Sequence, residues 1–147
     1  MKVGITFSTF DLFHAGHVKM LEEAKSKCDY LIVGLQLDPS IDRPKKNKPT
    51  QSIIERYVQL RGCKYINEVV PYVTEQDLID ILSSFKIDLR IIGEEYKDKK
   101  FTGKEYCTKK GIEIYYNRRE HRFSSSALRK QVSDFEKKWK LLINFYL

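Results

Sequence analysis

The sequence is poor in the residues that interrupt or staple a chain. Its 147 residues include only 7 Gly and 4 Pro, and no segment repeats or falls to low complexity, which excludes fibrous and disordered classes. Cys28, Cys63 and Cys107 are an odd number at wide intervals. That pattern offers no disulfide framework, zinc pairing or redox dithiol, so they read as reduced bystanders. No apolar run approaches the roughly 18 residues of a membrane span. The opening MKVGITF passes from a strand pattern straight into a polar turn, without the apolar region of a signal peptide, and a cytoplasmic chain is expected. The Rossmann glycine pattern is absent after the first strand, as is a phosphate loop ending in GK and Ser or Thr, which argues against a dinucleotide oxidoreductase.

What is present describes one soluble globular domain. The chain is 41% hydrophobic and 32% charged, and a domain of this size buries roughly two-thirds of the surface its unfolded form exposes. The formal charge of +7 implies anionic partners, but nucleotides, sugar phosphates, nucleic acid and a membrane surface all satisfy it equally.

Strands and helices alternate along the chain. Val3 to Phe7 reads as a buried strand, Gly16 to Lys27 as a helix with Val18, Leu21 and Ala24 inward, and Tyr30 to Leu35 as a second strand. A long basic loop follows over 36–50, with Pro39, Pro44 and Pro49 among Arg43, Lys45, Lys46 and Lys48. Ser52 and Glu55 stand at capping-box spacing before a helix ending at Gly62, and Thr74 caps a second helix carrying Leu78, Ile81 and Leu82. Strands are expected at 66–73, 89–92 and 112–116, with a short helix near 104–109. A last helix starts at Ser124 and carries an apolar stripe of Leu128, Val132, Phe135, Trp139 and Leu142, suited to packing on the domain's own sheet or on a second subunit. The whole predicts an α/β, Rossmann-like, doubly wound five-stranded parallel sheet in a single domain with an extended C-terminal helix. Ligands are expected at the carboxyl ends of its strands. Loops 8–17, 93–100 and 117–126 lie there.

The segment Ile5 to Lys19, ITFSTFDLFHAGHVK, concentrates the chemistry. A helix N-terminus offers free N–H groups and a partial positive charge of roughly half an electron. His14 and His17, three residues apart in its first turn, face one side, and Gly16 between them permits close approach. The pattern points to a phosphate site.

This stretch resembles the nucleotidyltransferase superfamily marked by His-x-Gly-His, and within it the glycerol-3-phosphate cytidylyltransferase family. The resemblance covers residues 1 to 132 through TFDLFHAGH, YLIVGL, the lysine loop, Glu55-Arg56, IIGEEY, and Arg119 at the family's distance before Ser124-Ser125. It implies a domain over 1–132 with a C-terminal helical extension over 133–147. It implies transfer of a nucleoside monophosphate from CTP, accompanied by Mg2+, to a small phosphorylated alcohol in a cytoplasmic homodimer, with no nucleic-acid or membrane partner. The product would be a CDP-alcohol for cell-surface polymer synthesis. His14, His17, Lys45 and Arg119 take catalytic roles by this likeness. Thr9, Phe10, Gly93, Glu94, Glu95, Ser124 and Ser125 join His14, His17 and Arg119 in binding the nucleotide. Asp11, Lys46, Arg56 and Lys64 attend the acceptor, Asp11 alternatively organising Mg2+. No residue is expected to form a resident metal site.

The chain departs from the family pattern in places. His121 and Arg122 stand where similar enzymes have glutamate and glycine, Lys64 and Asn67 where arginine and aspartate are expected, and Tyr96 replaces a tryptophan. These leave glycerol 3-phosphate as the favoured acceptor while keeping other phosphorylated acceptors, and an adenylyltransferase, open. A non-catalytic nucleotide- or nucleic-acid-binding module is the reading from another class.

Overall fold

The computed structural model describes residues 1–147 as a five-stranded sheet, all parallel, in the order β3-β2-β1-β4-β5. The strands are β1 (Val3–Ser8), β2 (Tyr30–Gln36), β3 (Glu68–Tyr72), β4 (Leu89–Gly93) and β5 (Glu113–Asn117). Between them run α1 (Ala15–Ser26), α2 (Ile53–Arg61), α3 (Glu75–Ser84) and a short α4 (Lys104–Lys110), and α5 (Ser125–Tyr146) closes the chain. A single 3-10 turn over Glu94–Tyr96 follows β4. The expected doubly wound architecture is therefore present, with boundaries within about two residues of the sequence pattern. Pro71 is accommodated because β3 is an edge strand.

Both faces of the sheet are covered. Leu21 and Ala24 of α1 and Leu60 of α2 pack on Leu31, Val33, Leu35, Leu89 and Ile91. On the other face Leu78, Ile81 and Leu82 of α3 and Cys107 of α4 meet Val3, Ile5 and Ile32. Alternate residues of β2 thus enter opposite cores, which is why its sequence reads as an unbroken apolar run. The anticipated caps form: Ser52 Oγ accepts from Glu55 N–H, and Thr74 Oγ1 from Asp77 N–H. The three cysteines are free thiols.

β1 lies at the centre, and the connections leave it toward β2 on one side and return to β4 on the other. The carboxyl ends of β1 and β4 are the switch point at which such sheets bind ligands. The long helix α5 starts beside this edge and then leaves the body of the domain. None of its residues is buried, and Val132, Phe135, Trp139 and Leu142 are exposed. The stripe does not pack on the domain's own sheet, because four parallel crossovers already fill both faces. No helix is long and apolar enough to cross a membrane.

Removing residues 133–147 should accordingly leave the domain folded. Thermal unfolding of the shortened protein is expected to stay cooperative, with a midpoint within about 2 °C of the full chain, as for surface changes generally. Loss of the cooperative transition would mean that this helix stabilises the core.

Candidate active site

The turn after β1 is held in an uncommon conformation. Phe10 and Leu12 both have positive φ, 50° and 53°, a region non-glycine residues enter at some cost. Burial of the Phe10 ring in the core and a hydrogen bond from Leu12 N–H to Gln51 Oε1 at 2.9 Å hold the turn. Arg56, buried in α2, supports it from beneath. Its guanidinium donates to the carbonyls of Thr9, Gln36, Leu37, Gln51 and Ser52 at 2.6 to 3.3 Å. Asp11 is equally committed, accepting from Thr50 N–H at 2.8 Å, Gln51 N–H at 2.9 Å and Arg129 Nη2 at 2.7 Å. Burial alone would raise its carboxyl, but those donors prevail and hold it below the usual carboxylate range.

At the end of this turn the two histidines begin α1 by capping one another. His14 N–H donates to His17 Nδ1 at 3.2 Å, and Gly16 N–H donates to His14 Nδ1 at 3.0 Å. This is the geometry of a capping box with imidazoles in both side-chain positions. Because each Nδ1 accepts, the proton of each neutral ring sits on Nε2. The rings stack with centroids 3.9 Å apart, too close for both to carry charge. Burial, then His14 and Arg119, push the His17 imidazole down to about 3, and burial with His121 and Arg119 lowers His14. Both are neutral donors at neutral pH. His14 Nε2 lies 3.1 Å from Ser125 Oγ, which donates onward to the Asp11 carbonyl at 3.2 Å.

These groups open onto a cavity of about 390 Å³. Its walls come from the three loops singled out in the sequence: Ser8 and His14 to His17, Gly93 to Tyr96, and Asn117 to Ser126. The N-termini of α1 and α5 both reach it, and each brings the partial positive charge of a helix start. Ser124 Oγ accepts from Ala127 N–H as the α5 cap. Arg119 lines the wall, its side chain 3.5 Å from Glu95, and its N–H donates to Glu94 Oε1 at 3.1 Å. His121, with its Nδ1 buried and unpaired, stands against Phe123 and close to His14 across Gly16, where even a Cβ would meet all three neighbours within about 3.0 Å. No cluster of three or more His, Cys, Asp or Glu side chains able to hold a metal ion is formed.

The residues expected to act at this site therefore divide. His14, His17, Gly93, Glu95, Arg119, Ser124 and Ser125 converge on the cavity. Glu94 acts on it indirectly, by holding the Arg119 backbone. Thr9 lines a neighbouring cavity with its carbonyl already taken by Arg56, and Phe10 turns its ring into the core. Asp11 and Arg56 were expected at the acceptor, but their polar atoms are spent on the chain itself, so they position the turn. Lys46 reaches the neighbouring cavity, whereas Lys45, exposed within the turn closed by Lys46 N–H to the Arg43 carbonyl, lines neither. Lys64 lies over the Tyr65 ring before β3, at the amino ends of the strands and so away from the site. Arg122 turns outward over Phe123. The sequence reading missed Asn117, Arg129 and Arg90. Arg90 carried a signal, an arginine inside the apolar strand LRII.

The domain is doubly wound, with two neutral imidazoles at the start of α1, beside the switch point and the N-terminus of α5. The family model described as Cytidylyltransferase-like matches residues 5–131, and the chain belongs to that family. It is a nucleotidyltransferase. It is 38% identical over 133 residues to a glycerol-3-phosphate cytidylyltransferase of Bacillus spizizenii, covering 90% of this chain and 98% of that one. It is 34% identical over 134 residues to the bifunctional protein HldE of Campylobacter jejuni, where 90% of this chain covers 28% of the longer protein. Among solved structures, a lipopolysaccharide core biosynthesis protein from Thermoplasma volcanium superposes with a TM-score of 0.64 at 25% identity, covering 80% of this chain and 95% of that one. Pantoate-beta-alanine ligase from Francisella tularensis shares the fold at 14% identity, with a TM-score of 0.58 and coverage of 82% and 60%.

The lowered His17 gives the protein a definite acid response. A histidine whose folded pKa of about 3 lies below its unfolded value near 6.5 stabilises the fold fully above 6.5, and that contribution is lost as pH falls toward 3. The urea midpoint should drop between pH 7 and pH 4, and His17→Gln should lessen that drop. An unchanged slope in the variant would contradict the assignment.

Proposed function

We propose that the protein transfers CMP from CTP to a small phosphorylated alcohol, giving a CDP-alcohol and pyrophosphate. The observation that carries this is the reciprocal cap of His14 and His17, which presents imidazole N–H donors where two helix N-termini meet. The 38% and 32% identical relatives named glycerol-3-phosphate cytidylyltransferase make glycerol 3-phosphate the first acceptor to test. A role for the CDP-alcohol in cell-surface polymer synthesis fits the same relationship.

The triphosphate lies along the His14–His17 cavity, its outer phosphates toward Arg119 and the α5 amides. An oxygen of the acceptor's phosphate attacks the α-phosphorus. The new P–O bond forms as the bond to the bridging oxygen of the departing pyrophosphate breaks. No protein nucleophile is needed, so catalysis consists of in-line placement and stabilisation of spreading negative charge. His14 and His17 donate from Nε2 to oxygens around the α-phosphorus. His14 exchanges its Ser125 contact for the substrate, and Ser125 keeps its own hold on the Asp11 carbonyl. Neutral donors favour charge that develops in the transition state without trapping the resting triphosphate strongly. Asp11 is committed to Thr50, Gln51 and Arg129, and no cluster of acidic or histidine side chains forms beside it, so Mg2+ would enter as part of the nucleotide substrate.

Pyrophosphate release, assayed across the nucleoside triphosphates and a panel of phosphorylated alcohols, should require CTP and an acceptor together. His14→Ala and His17→Ala should each lower kcat by about a hundredfold or more, the loss expected on removing one preorganised donor. Full turnover in either variant, or activity with ATP alone, would contradict the proposal.

A further inference from the structure

Beside the histidine cavity lies a second one of about 410 Å³, a volume suited to a small ligand. The two share Phe7, Ser8, Ile92 and Tyr96, so one small molecule can span them. Arg90 of β4 lines only the second cavity and is 4% exposed. Its guanidinium lies between the rings of Phe7 and Phe101, 5.2 and 4.9 Å from their centroids. Nη1 donates to the Thr102 carbonyl, and Nε is buried without a partner.

A buried arginine ordinarily has a countercharge. Arg90 enters none of the protein's ion pairs. The one carboxylate in the cavity wall, Glu75, is bonded through Oε1 to Arg43 at 3.2 Å and to Gln36 at 3.2 Å, and its charge reaches Arg90 without forming an ion pair with it. The Cys107 thiol beside Arg90 is pushed up by burial, although Arg90 opposes this, and stays neutral. The loop is shaped to admit the guanidinium. Gly103 has φ +85°, and a Cβ there would stand 2.7 Å from Arg90 Nη1. Arg43, Lys46 and Lys100 also face the cavity, so four cations meet a single carboxylate.

We propose that this cavity is an anion subsite for a carboxylate on the acceptor, with Arg90 as the residue that selects it, making the preferred acceptor a phosphorylated hydroxy acid. The inference rests on the transfer reading above. The reacting phosphate must lie near His14 and His17, which line the other cavity, so the anion over Arg90 is a different group of the same molecule. A flat carboxylate matches a guanidinium held between two aromatic faces and supplies the charge-assisted bonds that Nε lacks.

Two acceptors test this, 3-phosphoglycerate and glycerol 3-phosphate, which differ by a carboxylate in place of a hydroxymethyl group. Each is titrated calorimetrically into the protein with and without α,β-methylene-CTP, which cannot transfer CMP. The carboxylate-bearing compound should bind about tenfold more tightly or better. Arg90→Met should erase the difference, and Arg90→Lys should keep part of it. Equal or weaker binding of 3-phosphoglycerate to the wild type, binding of neither compound, or an undiminished difference in Arg90→Met overturns the proposal. Should Arg90→Met fail to fold by circular dichroism, the wild-type comparison and Arg90→Lys decide. Pyrophosphate release with CTP is read separately. A binding preference without release would count against nucleotidyl transfer and leave the subsite standing.

Discussion

Two backbone amides, those of His14 and Gly16, each give their hydrogen to an imidazole, and the rest of the site depends on that exchange. These bonds satisfy donors that a helix start would otherwise leave open. They also settle where each ring keeps its proton. The helix cap and the choice of tautomer are thus the same pair of contacts. The cap is possible because the preceding turn delivers His14 at a fixed height above β1. That turn requires left-handed backbone at Phe10 and Leu12, with Arg56 gathering five carbonyls beneath it and Asp11 tying in the loop at Thr50 and α5 at Arg129.

Charge around the pair is arranged in the same economical way. The chain carries +7 overall, yet the two groups nearest the reacting centre are uncharged. The positive potential comes instead from two helix N-termini and from Arg119, which Glu94 and Glu95 hold by its amide and its side chain. In the proposed transfer, permanent charge at the edge would attract the triphosphate, and neutral N–H groups at the centre would answer the charge that appears as the bond changes. In the second cavity the balance reverses: a cation, Arg90, is buried there, with its Nε unpaired.

Much of this was legible in the sequence because it is local. Apolar runs separated by helical periodicity gave the five strands and their order of appearance, and His14-x-Gly16-His17 was readable as the start of a helix with both imidazoles in its first turn. Capping signals at Ser52 and Thr74 act over three residues and were readable for the same reason. What escaped is long-range. Asp11 and Arg56 have the side chains of ligand-binding residues, and only the fold shows their oxygens and nitrogens spent on Thr50, Gln51, Arg129 and backbone carbonyls up to 47 positions away. Lys64 lies close in sequence to a strand, but at its amino end, a distinction that spacing alone does not make. The α5 stripe shows that an apolar face specifies burial without specifying the partner, since the sheet faces it would have covered are filled by α1 to α4.

The central claim is that backbone donation fixes His14 and His17 as neutral, Nε2-protonated donors before any substrate arrives. Imidazole nitrogen-15 chemical shifts of the substrate-free protein at pH 7 measure this directly. Both rings should show the Nε2–H tautomer, and His17 should stay neutral as pH is lowered to 5, well above its value of about 3. A proton on Nδ1 of either ring, or a cationic His17 at pH 7, would contradict the account.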